Sequence, residues 1–132
     1  FDNPAAAAET PTRQLTFNFL IALNSWLLLC PADLCCDWTM GSVPLILSWN
    51  DPRNLGTLTV YVILCAILWN IFWVDDTRSR ILLMGLSMCV FPFLPASNLF
   101  FPVGFVVAER VLYAPSMGFC LLVAHGFSLL AT

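Results

Sequence analysis

Residues 55–74 read LGTLTVYVILCAILWNIFWV. The stretch holds no charged side chain, and its length matches the roughly 20 mostly apolar residues that cross a bilayer core of about 30 Å. Trp69 and Trp73 lie toward one end, where amphipathic rings sit at the level of lipid headgroups. Asn70 is near the same end and reaches headgroups or a neighbouring helix. A helix apolar on every side cannot stand in water. This stretch therefore predicts a spanning helix, and the rest of the chain is read around it.

Downstream, residues 75–80, DDTRSR, form a short connector. Residues 81–96, ILLMGLSMCVFPFLPA, are a second span whose end is broken by Pro92 and Pro95, because each proline removes a helical N–H and crowds the preceding turn. Residues 97–116 follow as a loop. Residues 117–132 begin a third span, with Ser116 as its N-cap and Pro115 holding Ala114 out of helical geometry. Upstream, NDPRN at 50–54 is a turn leading into the first span. Residues 31–54 form a loop with Trp38 and Trp49 as interfacial anchors. Residues 15–30 are apolar but interrupted by Asn18, Asn24 and Ser25, which favours a re-entrant or interfacial segment over a full crossing. Residues 1–14, with Asn3-Pro4 and Thr10-Pro11, read as a surface loop.

The expected fold class is all-α: a polytopic membrane helical bundle fragment with about three spanning helices and a re-entrant or interfacial segment. Composition agrees. The chain of 132 residues is 60% hydrophobic and 10% charged, with mean hydropathy +0.86. A soluble domain carries about 25% charged residues. The net charge of -3 argues against nucleic acid as a partner, which requires a basic face. The lipid bilayer is the expected surrounding. The sequence opens at Phe1 without Met and ends inside an apolar run, so an internal segment of a larger protein is expected.

Arg78 and Arg80 assign the 75–80 connector to the cytoplasmic side. Segments 1–14, 31–54 and 97–116 then converge on the opposite, luminal face. That face holds Glu109 and Arg110 side by side in NLFFPVGFVVAERVLYAPSMG, residues 98–118. A charge in apolar surroundings is costly unless it is paired or faces water. Arg110 and Tyr113, three apart, share a helical face, as do Glu109 and Tyr113, four apart. Two readings stand. Glu109 and Arg110 make structural ion pairs to other helices, or Arg110 meets a lipid phosphate, for which its rigid fork of donors is suited. Asp37, Asp51 and Arg13 are further candidates for a luminal cleft. The alternatives there are turn or cap roles for the two acids and a snorkelling role for Arg13. His125 reads as a helix-packing partner. Cys30 with Cys35 or Cys36 leaves a disulfide open. No metal cluster, phosphate loop or catalytic triad is visible, and no cofactor is expected.

The blocks NPAA, TRQLTFNFL, WLLLCPADLCCDWTMGSVPLI, DPRNL and FPFLPASNLFFPVGFVVAERVLYAPSMGFCLLVAHG resemble the transmembrane and tetratricopeptide-repeat-containing (TMTC) proteins. The match is to the domain of unknown function in their membrane half. It covers nearly the whole chain, is most specific in the two longest blocks and is weakest over Gly56–Ser87. A looser AERxLYxPSxG pattern also resembles bacterial membrane proteins with such repeats. The TMTC resemblance implies a multi-pass endoplasmic reticulum membrane enzyme similar to GT-C glycosyltransferases. Its donor would be dolichyl phosphate mannose, and its acceptors Ser and Thr of cadherin-like proteins. The repeat domain and the carboxylate general base are expected outside these residues, so no catalytic residue is assigned within them. On this resemblance Arg110 and Tyr113 bind the donor phosphate, and Glu109 and Ser116 support them. The other reading is a non-catalytic membrane scaffold that displays a repeat domain. A channel or transporter would need a polar stripe along a span, which residues 55–74 lack.

Overall fold

The structure is a computed structural model that describes residues 3–35, 37–38, 41–74 and 77–132. Four helices carry it: α1 (Thr12–Leu29), α2 (Arg53–Trp73), α3 (Thr77–Phe93) and α4 (Tyr113–Leu130). Two short strands, β1 (Asp37–Trp38) and β2 (Val107–Ala108), pair antiparallel with Asp37 opposite Ala108 and Trp38 opposite Val107. Single 3-10 turns cover Pro4–Ala7, Leu94–Ala96 and Glu109–Leu112. The architecture is all-α, and among the described residues three helical runs are long and apolar enough to cross a membrane: Arg53–Trp73, Thr77–Ala96 and Glu109–Leu130.

At 1.5 Å per residue the 21 residues of α2 extend about 31 Å, the thickness of a hydrocarbon core. None of them is buried in the protein, so α2 presents its apolar surface outward. Cys89 Sγ of α3 donates to the Pro115 carbonyl of α4 at 3.3 Å, and Gly85 lies against Gly118 and Leu122. Lower numbers on α3 thus meet higher numbers on α4, and the two helices run antiparallel. Their backbones approach so closely that a Cβ on Gly118 would stand 2.4 Å from the Gly85 carbonyl oxygen and 2.6 Å from the Cys89 nitrogen. With lipid on the outside as apolar as the helices themselves, such close backbone contact is what holds spans together.

The segments outside the spans form one packed layer. Its core holds Ala5, Phe17, Leu20, Leu27, Val43, Val106, Val107 and Leu112, drawn from the first residues, α1 and both long loops. Helix α1 lies inside this layer. It buries Thr16 and Asn24 along with its leucines, and each polar side chain is satisfied. Thr16 Oγ1 accepts from the Ile46 amide at 3.1 Å. Asn24 Nδ2 donates to the Leu20 carbonyl at 2.7 Å. The Asn18 carboxamide oxygen accepts from the Tyr61 hydroxyl, which seats the first half of α1 on the opening turns of α2. The helix also meets the Glu109–Leu112 turn, so α1 bridges the starts of α2 and α4.

The far end of the layer is closed by asparagine. Asn3 is 1% exposed. Its Nδ2 donates to Asn98 Oδ1 and to the Val103 carbonyl, both at 3.2 Å. Asn98 adopts φ 60°, a left-handed conformation that asparagine tolerates better than most side chains, and its Oδ1 also accepts from the Val103 amide at 3.0 Å. The chain reverses there, just after Pro92 and Pro95 have turned α3 into its closing 3-10 turn.

One expectation is overturned. Ser116 is not the cap of a helix starting at Met117. Helix α4 begins at Tyr113, with Ala114 already helical and Leu112 at the N-cap position. Pro115 falls at the third residue of the helix, where its missing N–H has no intrahelical acceptor to lose. The Ser116 hydroxyl donates back to the Tyr113 carbonyl, a bond open to a serine inside the first turn.

Candidate functional site

The AERVLYAPS residues are presented by a change of helix type. Val107 and Ala108 are extended and buried at 1% and 2% exposure. Glu109–Leu112 then tightens into a 3-10 turn that runs straight into α4. Leu112 points inward to the core. Arg110, between the buried Ala108 and Leu112, is exposed. Tyr113 is 80% exposed. Side chains three apart eclipse across a 3-10 turn, so Arg110 and Tyr113 lie on one outer face at the mouth of α4.

Glu109 faces the other way. Its Oε1 accepts from the Trp38 indole Nε1–H at 2.9 Å and from the Cys35 amide at 3.1 Å. The strand pair β1–β2 directly precedes these bonds, so loop 31–54 is stitched to the turn by two successive devices. The glutamate is a clasp between chain segments more than seventy residues apart. Hydrogen bonds to a charged acceptor are roughly twice as strong as neutral ones, which suits a carboxylate to that task. Trp38, read from the sequence as an interfacial anchor, is half-buried, with its indole N–H aimed at Glu109.

The other candidates occupy separate places. Asp37 is brought beside the turn by its backbone pairing with Ala108, while its side chain lies outside the described residues. Asp51 sits at the start of α2. Its Oδ1 accepts from the Arg53 amide at 3.0 Å, and its Oδ2 accepts from Arg53 Nη2 at 2.7 Å. The Arg53 guanidinium, with help from that backbone bond, holds the Asp51 carboxyl below the ordinary carboxylate range. Arg53 also donates to the Pro44 carbonyl at 2.8 Å and lies 5.6 Å over the Phe19 ring, so the pair pins loop and α1 to the first turn of α2. Arg13 donates to the Ala6 carbonyl and ties the start of α1 to the first turn of the chain. Cys30 and Cys35 are not joined to each other by a disulfide. Cys36 and the Asp75–Asp76 pair lie outside the described residues. Among the described residues no three His, Cys, Asp or Glu side chains gather to hold a metal ion.

This clasped turn belongs to a known lineage. A family model described as "Protein O-mannosyl-transferase TMTC, DUF1736" matches residues 1–65. Human "Protein O-mannosyl-transferase TMTC3" is 60% identical over 133 residues, covering 100% of this chain and 14% of that protein. The chain belongs to the TMTC family. "Protein O-mannosyl-transferase Tmtc3" of Drosophila melanogaster is 62% identical over 128 residues, 96% of this chain and 14% of its own length. "Protein O-mannosyl-transferase TMTC4" of Mus musculus is 48% identical over 132 residues, 98% of this chain and 18% of its own. The chain thus spans about one seventh of the TMTC3 relatives. No solved structure matches it.

The TMTC match in the family model ends at residue 65, whereas the relatives run on through the AERVLYAPS turn. Within the TMTC segment, what sequence reasoning missed is the acceptor role of Glu109 toward Trp38 and Cys35. The cue was present in the unexplained acid of the apolar 98–118 stretch, but nothing local names its partner.

Proposed function

We propose that this chain is the donor-handling part of the membrane domain of an endoplasmic reticulum protein O-mannosyltransferase. The reaction is transfer of mannose from dolichyl phosphate mannose to a Ser or Thr hydroxyl of a cadherin-like acceptor. The hydroxyl oxygen attacks the anomeric carbon, the bond from that carbon to the phosphate oxygen breaks, and the electron pair leaves with dolichyl phosphate. The hydroxyl proton passes to a carboxylate supplied by another part of the full-length protein. The observation that carries the reading is an exposed Arg110, with Tyr113 beside it, at the mouth of a spanning helix in a chain whose relatives are named protein O-mannosyl-transferases.

Charge grows on the leaving phosphate as the glycosidic bond breaks. A cation held beside it stabilises the transition state more than the ground state. Arg110 fills that role by two parallel hydrogen bonds, and the Tyr113 hydroxyl donates a third. Arg13, Asp37 and Asp51 are then parts of the luminal face rather than of the leaving-group contact. Replacing Arg110 with Ala in the full-length protein, reconstituted with donor lipid, lowers turnover by about 10²–10³-fold, the typical cost of removing one such donor. Turnover is read per folded, inserted molecule. Turnover at the wild-type rate would overturn the reading.

The Glu109 clasp favours one other reading. Half of the charge pair has a structural task, as it would in a non-catalytic scaffold carrying a tetratricopeptide-repeat domain. Consumption of dolichyl phosphate mannose by the intact protein separates the two, since a scaffold consumes none.

A further inference from the structure

We propose that Trp38 is a positioning residue for mannosyl transfer, acting through Glu109 on Arg110. The inference rests on the reading of Arg110 as the donor-phosphate contact. Arg110 follows directly after Glu109, so their Cα atoms are 3.8 Å apart. The Glu109 carboxylate is held from outside the turn by the Trp38 indole at 2.9 Å and the Cys35 amide at 3.1 Å. Behind it, Trp38 and Asp37 pair with Val107 and Ala108. Ahead of it, Leu112 is locked in the core. The turn therefore has buried anchors before and after Arg110, and a third at Glu109, whose side chain reaches across to the other loop. A 3-10 turn advances about 120° per residue. Releasing the Glu109 anchor lets the turn relax toward α-geometry, which swings the guanidinium around the axis of α4. A misplacement of about 1 Å costs on the order of 10²-fold in rate, so the clasp controls turnover without touching substrate.

The chemistry of the clasp decides which changes matter. Glu109 serves here as an acceptor, and a glutamine oxygen accepts in the same place. Trp38 serves as an N–H donor, and phenylalanine keeps a large ring without one. The experiment uses the full-length protein in vesicles with dolichyl phosphate mannose and an acceptor domain, reading kcat and both KM values per folded molecule. W38F lowers kcat by about 10–10²-fold with acceptor KM unchanged. E109A behaves like W38F, and E109Q stays within about threefold of wild type. The deciding measurement is a double-mutant cycle. R110K keeps a cation but loses the fork, which leaves a measurable background. In that background W38F has little further effect, because residues acting as one unit are not additive. A purely structural Trp38 gives losses that multiply, and that result overturns the proposal. Wild-type kcat in W38F beside an inactive R110A also overturns it, while leaving the donor reading in place. Wild-type activity in R110A removes the donor reading, and the clasp proposal with it. If W38F does not accumulate, the contrast between E109Q and E109A decides: equal losses in the two overturn the acceptor role.

Discussion

Asp51 and Arg53 are two residues apart, yet they do more than neutralise each other. The carboxylate accepts from both the amide and the guanidinium of Arg53, and the same guanidinium reaches the Pro44 and Leu45 carbonyls. Both carboxylate bonds favour the ionised acid, which lowers its pKa in the folded protein. The sign follows from linkage. A depressed carboxyl contributes stability that is fully present above the unfolded value of about 3.9 and is lost as pH falls through the folded value beneath it. D51N removes this contribution. The two proteins therefore differ in thermal midpoint at neutral pH and converge as the buffer is taken below pH 4, which a thermal melt series in detergent reads directly. A constant difference at every pH would assign the effect to the amide substitution itself. The sequence alone marked Asp51 as either a cleft acid or a turn residue; its bonds place it at the turn.

At the level of elements, the crossing of α3 and α4 is governed by Gly85 and Gly118. A Cβ at Gly118 meets backbone atoms of Gly85, Met88 and Cys89 at 2.4–2.8 Å, and backbone cannot rotate out of the way as a side chain can. G118A therefore pushes the helices apart and destabilises by about 1–3 kcal/mol, the usual range for overpacking. Gly126, eight residues further along the same helix, has nothing within 4 Å of a built Cβ. G126A is the matched control and leaves the thermal midpoint unchanged or slightly raised. Equal effects of the two substitutions would show that helix propensity, and not the crossing, sets the response. Helix α1 behaves differently from the spans. It shares its buried face with loop residues, Thr16 accepts from the Ile46 amide and Asn24 donates to the Leu20 carbonyl, so it packs into the layer outside the spans.

For the whole molecule, two solvents shape two regions. The spans expose apolar side chains such as Leu58, Trp69, Phe72 and Phe91, which lipid accepts. The layer outside the spans has its own core, built around α1, with Leu20 at 2% exposure and Ile46 at 0%. L20A removes a large side chain from that core and costs about 2–5 kcal/mol. The layer opens first, because the spans are held by lipid and by the glycine crossing and not by Leu20. Limited proteolysis of the reconstituted protein reports this as faster cleavage within residues 31–54 and 97–112, with the spans still protected. Simultaneous loss of span protection would show that layer and bundle unfold as one unit.

The sequence by itself determined the membrane class and the spans. Crossing a bilayer demands about 20 apolar residues in a row, and that is a property of a local stretch such as 55–74. The proline-broken end of α3 was legible for the same reason, since Pro92 and Pro95 act on their own turn. A Glu–Arg pair in an apolar segment also stands out against its neighbours, which is what made residues 109 and 110 candidates. Only the tertiary structure decided which distant groups Glu109 and Asn3 bond. Trp38 and Glu109 are separated by 71 residues and Asn3 and Asn98 by 95, and a side-chain hydrogen bond across such distances leaves no periodicity to read. It also decided where α4 begins. Pro115 and Ser116 mark a helix start in any sequence, but whether they precede the helix or occupy its first turn depends on what holds the residues before them. Here β2 and the Glu109 clasp hold those residues, so the turn at Glu109 runs unbroken into the span and Arg110 is presented at its mouth.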